Sequence, residues 1–340
     1  MEKLKSDYDT KILFRAGVQV NDFLYYSDWN SNGLFELDIK NNCTRVIATF
    51  ESNMIERLHE FAFAFNNEIW FIPSDMHEKI AIYNLDEEII RYLDIPKYKG
   101  ICNNRPFMGC YIKHNNAWFF PASIAAILEV NLITGTMRYH YLLNEKDERE
   151  LDKKRFIYSS YYVSNDKVYL CPWGEKYIIT FNLSDSSIKR INIKIPQYCY
   201  KNIVIKGNEI ILFPEKLDNG IVVYDIESVK QVRKMRLNCI NTCDIVFQDK
   251  NKVFILPNKE RRAIILDLHK WSYDFTDILN IDEDVAWYEI RNISNRKFII
   301  PYTERKYLVV FENGEFKILK CNHYKDEEMC QLLLKLKADK

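Results

Sequence analysis

The sequence predicts an all-β protein of seven repeats, each with four short antiparallel strands, followed by a short C-terminal helix. Three observations predict it. An apolar and aromatic run closing in Pro, or in Ser in the first copy, recurs at intervals of 42 to 51 residues. A second apolar run, closing in Asp, Asn or Glu, has that residue 10 or 11 positions after each anchor. The runs are short, rich in Ile, Val, Tyr and Phe, and broken by Asn, Asp, Gly or Ser, which is strand rather than helix chemistry.

In chain order the anchor run reads FLYYS, with Ser27 in the Pro place. It then reads IWFIP to Pro73, WFFP to Pro121, VYLCP to Pro172, IILFP to Pro214, VFILP to Pro257 and FIIP to Pro301. A Pro at a strand exit removes no central ladder hydrogen bond. The next run ends at Asp38, Asn84, Asn131, Asn182, Asp225, Asp267 and Glu312. Such a side chain is expected to cap the following turn. A third run follows the turn, for example TRVIATF or IKRINIKI, and another apolar run precedes each anchor, from ILFRAGVQV to WYEIRNI. Phe61, Phe63 and Phe65 alternate along one of them, the period of a strand. Units of four strands in about 40–50 residues read as propeller blades, so the expected fold is a seven-bladed β-propeller. The expected blades span about 11–50, 56–98, 105–143, 156–196, 199–238, 242–279 and 286–321. Closure would bring the region near Phe316–Lys320 to that near Leu13–Val20.

Strands closing in Asp or Asn followed by Leu or Ile before a turn, as in EVNLITG at Glu129–Gly135 and FELDIKNN at Phe35–Asn42, carry a family likeness. Through them the chain resembles the kelch-like and quinoprotein-like groups of β-propellers over about residues 11–321. The resemblance implies that ligands gather around a central channel and on one face. That face is built by the loops after the anchors and the loops entering each first strand.

Two segments break the repeat. NEKDERELDKKR at Asn144–Arg155 has ten charged residues in twelve and reads as a solvated loop, with a partner-binding flap as its functional alternative. In HYKDEEMCQLLLKLKADK the spacing of Met329, Leu332, Leu333 and Leu336 predicts a helix over about 326–337.

Composition narrows the function. The 340 residues include 48 Lys and Arg against 48 Asp and Glu, so the net charge is zero and nucleic acid is not expected as the main partner. No apolar stretch is long enough for a membrane span, and no membrane partner is expected. Nine cysteines without a C-x-x-C pair read as reduced thiols, and with no apolar N-terminal leader the expected location is cytoplasmic. The oligomeric state is left open.

Six His without H-x-H, H-E-x-x-H or a His/Cys cluster, and the lack of a Walker loop, G-x-S-x-G or G-x-G-x-x-G, give no expected metal or cofactor. His59-Glu60 lies where a first strand begins. It reads as a surface pair, with a channel-mouth acid–base pair as the alternative.

The post-anchor loops differ from copy to copy while the strands repeat, and variable loops on a regular frame are where function concentrates. The candidate binding residues from these loops and from the first-strand entries are Asp28, Trp29, His59, Asp75, His77, Arg105, Trp173, Glu175, Arg261, Arg262, Tyr302 and Arg305. Mixed charge with Trp suits a protein- or peptide-binding scaffold, the favoured function. A propeller lyase or hydrolase at the channel mouth, and a carbohydrate or small-ligand module stacking on Trp29, Trp173 and Tyr302, are the alternatives.

Overall fold

Each repeat folds into one antiparallel sheet whose strands follow chain order. The computed structural model describes residues 14–28, 31–41, 43–52, 58–100, 102, 104–143, 158–173, 175–193, 200–238, 242–257, 262–278, 287–293, 296–301 and 307–320. The expected C-terminal helix and the charged segment at 144–155 lie outside the described residues. The described residues contain no α-helix, only a 3-10 turn at Leu217–Asn219.

The chain divides into two compact units, one of Met1–Ile95 with Glu289–Lys340 and one of Pro96–Tyr288. The first unit holds sheet 1, made of β1 (Phe14–Val20), β2 (Phe23–Asp28), β3 (Gly33–Asp38) and β4 (Cys43–Thr49). It also holds sheet 2, made of β5 (His59–Phe65), β6 (Glu68–Pro73), β7 (Ile80–Asn84) and β8 (Ile90–Leu93). The second unit begins with sheet 3, β9 (Phe107–Lys113), β10 (Asn116–Pro121), β11 (Ala126–Asn131) and β12 (Met137–Tyr141). Sheet 4 is β13 (Tyr158–Ser164), β14 (Lys167–Pro172), β15 (Tyr177–Asn182) and β16 (Ile188–Asn192). Sheet 5 is β17 (Tyr200–Lys206), β18 (Glu209–Pro214), β19 (Ile221–Asp225) and β20 (Gln231–Met235). Sheet 6 is β21 (Cys243–Asp249), β22 (Lys252–Pro257), β23 (Arg262–Asp267) and β24 (Ser272–Asp277). The last sheet is described in part. Its β26 (Arg296–Pro301), β27 (Tyr307–Glu312) and β28 (Glu315–Lys320) belong to the first unit, and its β25 (Trp287–Ile293) straddles the division.

The second and third strands are buried on both faces, so they read as unbroken apolar runs rather than alternating ones. The fourth strands are half-buried in sheets 1 to 3 and largely exposed in sheets 4 to 6. In the first unit Leu24, Tyr26, Leu34, Phe35, Ile69 and Phe71 form one core, joined by Val310 of the last sheet. The two ends of the chain thus share a core. In the second unit, neighbouring sheets pack in the same way, Phe120 and Ile127 against Leu170 and Phe181, and Tyr169 and Ile178 against Leu212 and Tyr224. Packing between sheets 3 and 4 is tight enough to require Gly109, where a Cβ would stand 2.8 Å from the Tyr161 ring.

The register corrects one sequence expectation. The first residue of the first strand faces the last residue of the second, His59 opposite Pro73 and Tyr200 opposite Pro214. In sheet 1 the same pair is Phe14 opposite Asp28, so Asp28 rather than Ser27 takes the Pro place. In sheets 1 to 6 the pairing then skips one residue of the first strand, a β-bulge at Arg15, Glu60, Met108, Ser159, Lys201 and Asp244.

In sheets 1 to 6 the turn after the third strand is capped as expected. Asp38 Oδ1 accepts from the backbone N–H of Lys40 and Asn41, and Asn84 from Asp86 and Glu87. Asn131, Asn182, Asp225 and Asp267 do the same in their sheets. These bonds stabilise the ionised form and hold the Asp38, Asp225 and Asp267 carboxyls below their usual range. The repeat-invariant Asx residues are therefore structural.

Candidate functional site

In sheets 1 to 5 the bulge turns one side chain of the first strand away from the regular alternation. In sheet 1 that residue is Arg15 and in sheet 2 it is Glu60, and the two meet. Arg15 Nη2 donates to Glu60 Oε2, with the side chains 3% and 0% exposed. Arg15 Nε also donates to the His59 carbonyl at 3.2 Å. The same link recurs in the second unit, where Ser159 Oγ donates to the Tyr200 carbonyl at 3.1 Å. His59 and Tyr200 occupy equivalent places at the start of a first strand. In both units the bulged residue ties its sheet to the next one.

His59 is buried, and Phe50 packs edge-on to its ring with centroids 4.3 Å apart. Its Nδ1 has no hydrogen-bond partner among the described residues. Burial first, and the Arg15 cation second, push its pKa down to about 3, so the imidazole is neutral. It lines a small cleft with Phe50, Glu51, Ser52, Leu58, Pro73, Glu78, Lys79 and Tyr92. The expectation of a surface pair at His59-Glu60 is therefore corrected: both residues are buried, and Arg15 holds Glu60.

The other described candidates sit at the same end of their sheets, after a second strand or before a first one. Asp28 is buried at the end of β2. Asp75 is half-buried and its carboxylate accepts from the His77 backbone N–H at 2.9 Å, leaving the His77 side chain exposed. Arg105 is half-buried ahead of β9 with φ 69, a left-handed conformation uncommon outside Gly and Asn. Trp173 and Glu175 follow β14 and are half-buried, and the Glu175 N–H points to the Pro172 carbonyl at 3.4 Å. Arg262 opens β23 with its guanidinium 4.7 Å over the Phe275 ring. Trp29, Arg261, Tyr302 and Arg305 lie outside the described residues. Among the described residues no group of three or more His, Cys, Asp or Glu side chains is placed to hold a metal ion.

The structure brings together His59, Glu60 and Arg15, of which Arg15 was not among the sequence candidates. A signal for it exists: aligned on the bulge, consecutive repeats carry opposite charges 45 residues apart.

No family model matches the chain, and no curated protein matches it in sequence. Solved structures do match in fold. YCF48 bound to D1 peptide aligns with a TM-score of 0.64 at 10% identity, covering 90% of this chain and 93% of that one. A streptogramin B lyase aligns at 0.59 and 11% identity, covering 85% and 90%. BamB from Moraxella catarrhalis aligns at 0.57 and 12%, covering 86% and 84%. This chain has a β-propeller fold.

Two outcomes follow from the buried cluster. Arg15→Met alone should destabilise by about 3–5 kcal/mol because it strands the Glu60 charge, whereas Arg15→Met with Glu60→Leu should recover most of that loss. Chemical denaturation of the three proteins distinguishes them, and equal loss in both variants would refute the pairing. The depressed His59 pKa fixes a sign as well. The unfolded chain takes up a proton below about pH 6.5 while the native state resists it down to about 3. Stability from this group is present above pH 6.5 and falls with pH in that window, by at most about 1.4 kcal/mol per unit. His59→Phe should flatten the pH dependence of unfolding between about pH 6 and 4; an unchanged slope would contradict it.

Proposed function

We propose that this chain is a seven-bladed propeller of kelch-like or quinoprotein-like type that serves as a protein- or peptide-binding scaffold. The observation that carries the reading is the division of labour within each sheet. Positions that recur, the strand exits and the Asx caps, are spent on the frame. Positions that vary gather at one end of the sheets, and Asp75, His77, Arg105, Trp173, Glu175 and Arg262 there are half-buried or exposed. Asp75, His77, Arg105, Trp173, Glu175 and Arg262 are the contacts this reading assigns, together with Trp29, Arg261, Tyr302 and Arg305. Asp28 and His59 support the frame beneath them. The likeness to YCF48 bound to a peptide supports a peptide-binding role for this fold. A cytoplasmic setting belongs to the reading, with Cys171 and Cys243 serving as small buried apolar groups.

The lyase among the similar structures keeps an enzyme in view. The acid–base pair that the sequence offers for it, His59 with Glu60, is buried and held by Arg15, which favours the scaffold.

Quantitative affinity capture from the native lysate, compared between wild type and the combined variant Arg105→Ala, Trp173→Ala and Glu175→Ala, tests the reading. At least one partner should fall about tenfold or more in recovery with the melting temperature preserved. An identical partner set would refute the assignment of this loop end.

A further inference from the structure

His59 lines a cleft at the loop end of sheet 2, between the residues that follow β4 and those that enter β5. The ring is buried, and its Nδ1 has no hydrogen-bond partner among the described residues. A buried polar atom is rarely left in that state. The imidazole is neutral, so in the tautomer protonated at Nε2 its Nδ1 is an acceptor.

The walls around it are of two kinds. Phe50, Leu58 and Pro73 are buried and apolar, with Tyr92 half-buried beside them. Glu51 is exposed and Glu78 is half-buried. The Tyr92 hydroxyl accepts from the Glu51 backbone N–H at 2.6 Å, which fixes that backbone beside the cleft. The ion pairs of sheets 1 and 2 use Glu36, Glu60, Glu68 and Asp94, and among the described residues neither Glu51 nor Glu78 joins one. Lys79 also lines the cleft, but its Nζ lies 3.4 Å from Asp94 Oδ1. Arg15, the cation next to His59, is paired with Glu60.

Apolar walls, an unpartnered acceptor and two carboxylates describe a particular guest. Its stem is apolar, and its head carries positive charge and donates several hydrogen bonds. A lysine side chain has that form, a flexible aliphatic stem ending in a compact ammonium with three N–H donors. A guanidinium is a wide planar fork and suits a small cleft less well. A divalent cation is not favoured, since among the described residues no three His, Cys, Asp or Glu side chains converge. A neutral hydroxyl would leave the carboxylates unused.

We propose that this cleft receives a lysine side chain presented by the partner of the loop end, with the ammonium donating to His59 Nδ1 and to the Glu51 and Glu78 carboxylates. The inference rests on the peptide-binding reading for the source of that lysine, and adds to it the chemistry of one anchor residue.

The test uses the full chain and Nα-acetyl-lysine N-methylamide, titrated at about 0.15 M salt and followed by saturation-transfer difference NMR. Wild type should bind with a Kd of about 1 mM, the range open to so small a ligand. The norleucine counterpart, which keeps the apolar stem and lacks the ammonium, should bind about tenfold more weakly. Glu51→Gln with Glu78→Gln, and separately His59→Phe, should each weaken lysine binding by about fivefold or more. Glu87→Gln with Glu88→Gln, the same charge change on exposed residues at the other end of sheet 2, should leave it within about twofold. Matching thermal melts establish that the variants fold. No binding by wild type, equal binding of the norleucine or arginine counterpart, unchanged binding by His59→Phe, or equal loss in both glutamine variants would each overturn the proposal. Those results would leave the scaffold reading standing, because partner capture through Arg105, Trp173 and Glu175 tests it on residues outside this cleft.

Discussion

Sheets whose middle strands are apolar on both faces cannot stand alone in water, and the rest of this structure follows from that constraint. A single four-stranded sheet here would expose Trp70, Phe71 and Ile72 along one strand, all of them fully buried in the fold. Burying a side chain of that size contributes about 1.5–3 kcal/mol, so each sheet needs a neighbour on either side. Within each unit, cores shared between consecutive sheets meet the need. At the chain ends it is met by long-range contact, with Val310 packed in the core of sheets 1 and 2.

Packing of apolar faces is non-directional and leaves sheets free to slide. The bulged first-strand residue supplies direction. Arg15 reaches Glu60 and the His59 carbonyl, while Ser159 reaches the Tyr200 carbonyl at the equivalent place. A buried ion pair is a poor source of net stability, because desolvation offsets much of the attraction. Its value here is in register, since a shifted neighbour would leave two charges in an apolar core.

Much of the frame was legible in the sequence because it repeats. Strands separated by Asx turns and closed by Pro give a period that survives large changes in side-chain identity, and the observed caps at Asn84 and Asn131 are those the pattern implies. The first anchor was misplaced by one residue because FLYYSD lacks the Pro that marks the others, and only the pairing of Phe14 with Asp28 settles it. The buried cluster becomes legible only once the bulge is placed. His59-Glu60 looks like a polar surface pair until Arg15, 45 residues away, is seen to neutralise it. Long-range electrostatic partners leave no local trace. The variable loop residues are the converse case: their placement follows from the repeat, while their partner does not.

The dependence of one chain end on the other is the most exposed consequence of this account. Hydrogen–deuterium exchange of peptides covering Phe14–Asp28 and His59–Pro73 measures it, comparing the full chain with one ending at residue 286. The account predicts exchange at least about tenfold faster in the shortened chain, because the core of sheets 1 and 2 has lost its third wall. Equal protection in the two proteins would contradict it.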